Sequence, residues 1–168
     1  MPVQVKGGIE LRKALKKFTP DLAKETQKEM ANLLKPITKK ARGFIPLSAP
    51  LSGWGKASVN AKWYWDGSAA KKGVGYKTTP SKPNRSGFRS LARIQNASMS
   101  GAIYETAGRK TPGGNFSPRL PGNLVGKGKM AGRAIFRAWS EDNGKTNAAV
   151  IKAIESSRDK FNKAVGYN

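Results

Sequence analysis

Glycine and proline crowd into the middle of this chain. Residues 43–130 hold fourteen of the 19 glycines and seven of the 10 prolines. Glycine weakens an element interior and proline removes a backbone donor. Long regular structure is therefore confined to residues 1–42 and 131–168, and the middle must be built from short strands and long loops. The expected fold is α+β. An N-terminal amphipathic helix and a C-terminal helix pack on a small antiparallel sheet, with long Gly/Pro-rich basic loops, in one domain over residues 1–168.

Within 1–42 a short helix over about residues 9–17 uses Ile9, Leu11, Leu15 and Phe18 as its apolar positions. Thr19 can then act as N-cap, with Pro20 at the first helical position and Asp21 in the first turn. Leu22, Met30, Leu33, Leu34, Ile37 and Ala41 recur at helical spacing, with Thr26 filling a gap. Pro36 falls inside and is expected to kink or split the helix. In the middle, "VNAKWYWDG" alternates over residues 59–66, placing Trp63 and Trp65 on one face, and reads as a strand ending at an Asp-Gly turn. "GVGYKTT", "FRSLARIQN" and "AIYETA" read as three further strands. "AIFRAWSED" is helical. A last helix begins at a Thr146 or Asn147 cap, with Val150, Ile151, Ile154, Phe161 and Val165 as its stripe and Arg158 close by.

Chemistry is narrowed by what is missing. The chain has no cysteine and no histidine. Disulfides, thiolate chemistry, a histidine base and Cys- or His-ligated zinc are excluded. The ten carboxylates fall mostly on helix faces beside lysines, where solvated ion pairs are the ordinary reading. A nuclease or glycosidase needs converging carboxylates. Asp66 and Glu105 are the two in the middle region, and nothing in their spacing brings them together, so no enzyme and no cofactor is expected. "TPGGN" and "GKGKMAGR" match no phosphate-binding loop. No apolar run reaches the length of a membrane span, and the first residues lack a signal-peptide core. A cytosolic or virion setting fits.

The net charge is +22. It divides as +7 for residues 1–42, +12 for 43–130 and +3 for 131–168. The excess sits on loops rather than on a recognition helix, which suits contact with phosphates or acidic neighbours without base readout. Lys71, Lys72, Lys77, Lys82 and Arg85 are the candidate contacts. Trp54, Trp63, Tyr64 and Trp65 lie near Lys56 and Lys62, as in single-strand stacking platforms. Their alternation favours a core or subunit interface instead. Glu105 is the one acid between Asp66 and Glu141. It is expected at a strand end, accepting hydrogen bonds or a salt bridge from Arg93, Arg109 or Arg133, with Gly108 allowing a sharp turn.

The order of short motifs resembles the small neck (head-to-tail connector, or tail completion) proteins of long-tailed bacteriophages. It runs through Ala41, Arg42 and Pro46, then Ser52 and Gly53, then Tyr104, Glu105, Gly108 and Arg109, and finally Arg133, Phe136 and Ala138. It covers roughly residues 9–165. The insert "KKGVGYKTTPSKPNRSG" and the Gly/Pro-rich segment 111–129 depart from that pattern. The resemblance implies a structural virion protein, assembled in the host cytoplasm. It would form a homo-oligomeric ring, hexameric or dodecameric, between the head portal and the tail tube around the DNA channel. Its implied partners are adjacent connector, head-closure and tail proteins, with non-specific contact to DNA and none to membrane. Most cations would then grip acidic protein surfaces and a minority would lie near DNA. Competing readings are a tail terminator or minor tail protein, and a small basic nucleic-acid-binding protein.

Overall fold

A computed structural model describes residues 7–55, 64–109 and 119–166. Six helices and a two-stranded antiparallel sheet make an α+β fold. In chain order they are α1 (Gly8–Phe18), α2 (Pro20–Gly43), α3 (Gly67–Gly73), β1 (Val74–Lys77), β2 (Arg93–Asn96), α4 (Met99–Thr106), α5 (Ile135–Asp142) and α6 (Lys145–Ala164). Single 3-10 turns occur at Ser52–Trp54 and Gly128–Met130. The chain divides into two compact units, one of residues 1–35, 76–93 and 144–168, the other of residues 36–75 and 94–143.

The first unit is built from α1, the first part of α2 and α6. Leu15, Ala23, Met30, Leu34, Ala153 and Ile154 are buried. Thr26 and Ser157 are buried too, and their hydroxyls hydrogen-bond at 2.8 Å. That pairing explains why a threonine sits in the apolar stripe of α2, because a buried hydroxyl is tolerated when it finds a partner. Whichever hydroxyl accepts in this pair donates to its own helix, Thr26 to Leu22 O or Ser157 to Ala153 O, both at 2.8 Å. Glu25 and Lys160 close the rim at 2.8 Å. Phe18, expected inside, is exposed beneath the Lys17 ammonium, 5.1 Å from the ring centroid. On α6 the buried stripe runs through Thr146, Ala153, Ile154 and Ser157, while Arg158 and Val165 are exposed. Helix α6 starts from Gly144 in the left-handed conformation, without a side-chain cap, so neither Thr146 nor Asn147 caps it.

The second unit holds an apolar core of Ile37, Ala41, Ile45, Trp54, Trp65, Ala70, Val74, Tyr104, Leu120, Ala134 and Ala138. Trp54 stacks on Trp65 with ring centroids 6.0 Å apart, and Trp65 meets Tyr104 edge-on at 5.7 Å. The Trp65 indole N–H donates to Leu47 O at 3.2 Å. Trp65 is therefore a core residue, as the alternation implied; Trp54, outside that alternating stretch, is buried beside it, and Tyr64 faces outward. Residues 59–63 of the expected first strand lie outside the described residues.

Three expectations about local structure are corrected. Helix α2 is not split by Pro36 and continues to Gly43. Ile37, Thr38 and Ala41 are buried directly after the proline, and that burial offsets one lost backbone bond. The Asp66-Gly67 pair is not a hairpin turn. Asp66 is the N-cap of α3, accepting from the Ala69 N–H at 2.8 Å. "AIYETA" is not a strand but the body of α4, capped by the Ser98 hydroxyl, which accepts from the Gly101 N–H at 3.0 Å. The two strands that form lie within "GVGYKTT" and "FRSLARIQN", shortened to Val74–Lys77 and Arg93–Asn96.

Candidate functional site

Seven of the residues singled out in the sequence, Tyr104, Glu105, Gly108, Arg109, Arg133, Phe136 and Ala138, lie where the end of α4 faces the start of α5. Helix α5 opens with backbone N–H groups that its own turns cannot satisfy. The Glu105 carboxylate takes three of them. Oε2 accepts from Ala134 N at 2.8 Å and Ile135 N at 3.0 Å, and Oε1 accepts from Phe136 N at 2.9 Å. Glu105 is only 5% exposed. A helix N-terminus carries partial positive charge, so an anion there is favoured by both hydrogen bonding and field.

Arg133 does the converse at the other helix. It precedes α5, is 1% exposed, and its Nη1 donates to Tyr104 O at 3.3 Å and to Ala107 O. These carbonyls lie at the C-terminal end of α4, where partial negative charge favours a cation. Burial pushes the Arg133 guanidinium down from its ordinary value, and the neighbouring Tyr104 and Glu105 oppose that shift. Each helix thus lends a charge that completes the end of the other. Glu105 does accept hydrogen bonds, but from backbone amides where Arg93, Arg109 or Arg133 was expected as the donor, and its place is the last turn of a helix rather than a strand end.

The surrounding residues hold this exchange in place. Gly108 has φ +82°, the left-handed conformation that glycine adopts without strain, and turns the chain out of α4. Arg109 Nε donates to Ala131 O and its guanidinium lies 5.1 Å from the Phe136 ring centroid. Val125 and Gly132 pair through backbone bonds of 3.0 and 2.8 Å. A Cβ on Gly132 would lie 1.9 Å from Glu105 Oε1, so glycine is required for the carboxylate to approach. The Tyr104 hydroxyl donates to Pro121 O at 2.7 Å, with Phe44 O also at 3.2 Å. Burial raises its pKa above the ordinary tyrosine value. Ala138 is fully buried.

Pro46 and Gly53 belong to the same unit but not to this joint. Pro46 follows buried Ile45, and Gly53 is exposed in the turn that delivers Trp54 to the core. Lys71 and Lys72 lie on α3, the first half-buried and the second exposed. Lys77 ends β1, and Lys82 and Arg85 are exposed in the β1–β2 connection. Lys71 and Lys72 thus belong to one unit, and Lys77, Lys82 and Arg85 to the other. Asp66 is committed to capping α3, so neither carboxylate of the middle region is offered as an acid or base.

Asn96 was not singled out in the sequence, and the partner of Arg42 was not foreseen there. Asn96 donates to Ala70 O at 3.0 Å and accepts from Ser98 N at 2.9 Å and Ser98 Oγ at 2.7 Å, tying β2 to α3 and to the cap of α4. Arg42 donates from Nε and Nη2 to Val74 O at 2.9 and 2.7 Å. On the outer side of α5, Glu141 meets Lys40 at 2.8 Å and Arg137 at 2.9 Å, and the Arg137 guanidinium sits 4.0 Å from the Phe44 ring centroid.

No protein family, curated protein or solved structure matches the chain.

Proposed function

We propose that the chain is a structural protein of the neck of a long-tailed bacteriophage. In this reading it assembles as a ring that joins the head portal to the tail tube around the DNA channel. The observation that carries the reading is the joint between α4 and α5. Tyr104, Glu105, Gly108 and Arg109 come from one motif of the resemblance, and Arg133, Phe136 and Ala138 from another about 25–35 residues on. The two motifs meet in one buried exchange of helix caps. Its charged groups hold backbone together, which suits a scaffold. A closed ring needs two different complementary patches on each copy, and exposed Leu47, Tyr64, Met99 and Met130 offer apolar surface for them.

Native mass spectrometry and negative-stain microscopy of the purified chain, alone and mixed with tail-less heads or isolated portals, test this. The expected outcome is a closed ring or stoichiometric addition to the particles. A chain that stays monomeric at all concentrations and binds neither particle refutes it. The reading as a small basic nucleic-acid-binding protein would then lead.

A further inference from the structure

We infer that the β1–β2 hairpin, residues 77–93, is a preformed binding element for the phosphodiester backbone of duplex DNA, without base readout. This deepens the neck reading, on which it rests for where the DNA comes from; the hairpin's chemistry stands by itself.

The stretch carries Lys77, Lys82, Arg85, Arg89 and Arg93 and no carboxylate. Lys77, Lys82, Arg85 and Arg89 are exposed. Three of the six acids of the same unit pair elsewhere: Glu25 with Lys160, Asp21 with Lys24 and Asp159 with Arg158. A concentration of exposed cations on one element is an electrostatic footprint.

The element is held in shape by its own bonds. Asn84 Oδ1 accepts from Ser86 N and Phe88 N, both at 2.9 Å, and Asn84 N donates to Phe88 O at 2.9 Å. Ser81 N donates to Ser90 O and Ser90 N to Ser81 Oγ, each at 2.9 Å. Arg89 Nε donates to Ser81 O at 2.9 Å and Arg93 Nη1 to Thr79 O at 3.1 Å. Arg12 of α1 donates to Thr78 O. Cations on a loop already ordered lose less conformational entropy on binding.

Two features favour phosphates over an acidic protein surface. Protein interfaces are anchored by large apolar or aromatic side chains in desolvated pockets. None of the large exposed apolar side chains, Phe18, Leu47, Tyr64, Met99, Met130 and Val165, lies in this hairpin. What accompanies the cations instead is a set of serine, threonine and asparagine side chains, the usual partners of phosphate oxygens. The one aromatic side chain within residues 78–93, Phe88, is half-buried rather than presented as an open stacking platform for bases.

The test is fluorescence anisotropy of the full chain with two 30-bp duplexes of unrelated sequence, over roughly 50–200 mM salt. Three proteins are compared: the natural chain, Lys77→Gln/Lys82→Gln/Arg85→Gln, and a control of equal charge change, Lys13→Gln/Lys16→Gln/Lys28→Gln. Circular dichroism confirms folding of each. The natural chain should bind both duplexes equally. The hairpin variant should bind on the order of 100-fold more weakly near 0.1 M salt, with a log–log salt slope shallower by about 3, while the control stays near the natural chain. Equal losses in the two variants, or wild-type binding by the hairpin variant, overturn the inference. So does poly-glutamate competing as well as duplex at equal charge, which assigns the hairpin to an acidic protein. Ring formation is read separately by native mass, so failure here leaves the neck reading standing, and failure of the ring leaves this result intact.

Discussion

Replacing Glu105 with alanine uncaps α5 and leaves Arg133 buried beside an empty place. Three backbone N–H groups, bonded at 2.8, 3.0 and 2.9 Å, lose their acceptor together. Hydrogen bonds to a charged group contribute about 1.5–3 kcal/mol each, loss of a cap costs about 0.5–2 kcal/mol, and removing one partner of a buried charge pair costs about 3–5 kcal/mol. These describe overlapping parts of one interaction and do not add. The expected loss is therefore about 4 kcal/mol for Glu105→Ala and about 2 kcal/mol for Glu105→Gln, which keeps one acceptor oxygen. Trp54, Trp63, Trp65 and Trp139 are the 4 tryptophans, and all fall in the unit of residues 36–75 and 94–143. Urea unfolding followed by tryptophan fluorescence thus reports the right unit. The midpoint should fall while the slope m stays constant. A loss under about 1 kcal/mol for the alanine variant would show that the amides find water or another acceptor and that the joint is not holding the unit together.

Gly132→Ala should destabilise the same unit by about 1–3 kcal/mol through collision with the carboxylate, and its effect should shrink when Glu105 is already alanine, a coupling that a double-mutant cycle in urea would measure. In the other unit, Thr26→Val removes the cross-helix partner of the Ser157 hydroxyl but leaves it Ala153 O, and should cost about 0.5–1.5 kcal/mol in urea unfolding followed by circular dichroism, with Thr26→Val/Ser157→Ala adding little to that loss. Hydrogen bonds from Lys40 and Arg137 hold the Glu141 carboxyl below its ordinary value. A carboxylate depressed in the folded state stabilises above its unfolded-state pKa and loses that contribution as pH falls through the folded-state one. The urea midpoints of the natural chain and Glu141→Gln should therefore differ most near neutrality and converge in acid; a constant difference would refute the assignment.

The helical ends were legible because they are long and amphipathic, with Leu15, Met30, Leu34 and Ile154 buried as the periodicity implies. The strands at β1 and β2 were legible in place but not in length. Residues 78–92 satisfy their backbone through Asn84, Ser81 and the arginines rather than through a ladder, and no hydrophobic pattern records that. Helix α4 was misread for a related reason. Its buried positions are Ser100, Gly101, Tyr104 and Glu105. They have helical spacing, but three of the four are polar or lack a side chain, so the stripe is invisible to a scale of hydrophobicity. The charge of Glu105 makes sense only once Ala134, Ile135 and Phe136 are brought beside it, and that is long-range information. Asp66-Gly67 suits a turn and a helix cap equally; the run Ser68, Ala69, Ala70, Lys71, Lys72 behind it decides for the helix.

The exchange between Glu105 and Arg133 also acts as a clasp on the chain. It holds the last turn of α4 against the start of α5 across a sequence separation of 29 residues. The entropy of closing a loop grows only logarithmically, about 0.6 kcal/mol for each doubling of length. The strength of the joint is therefore set far more by its own charges and hydrogen bonds than by the length of chain that it closes.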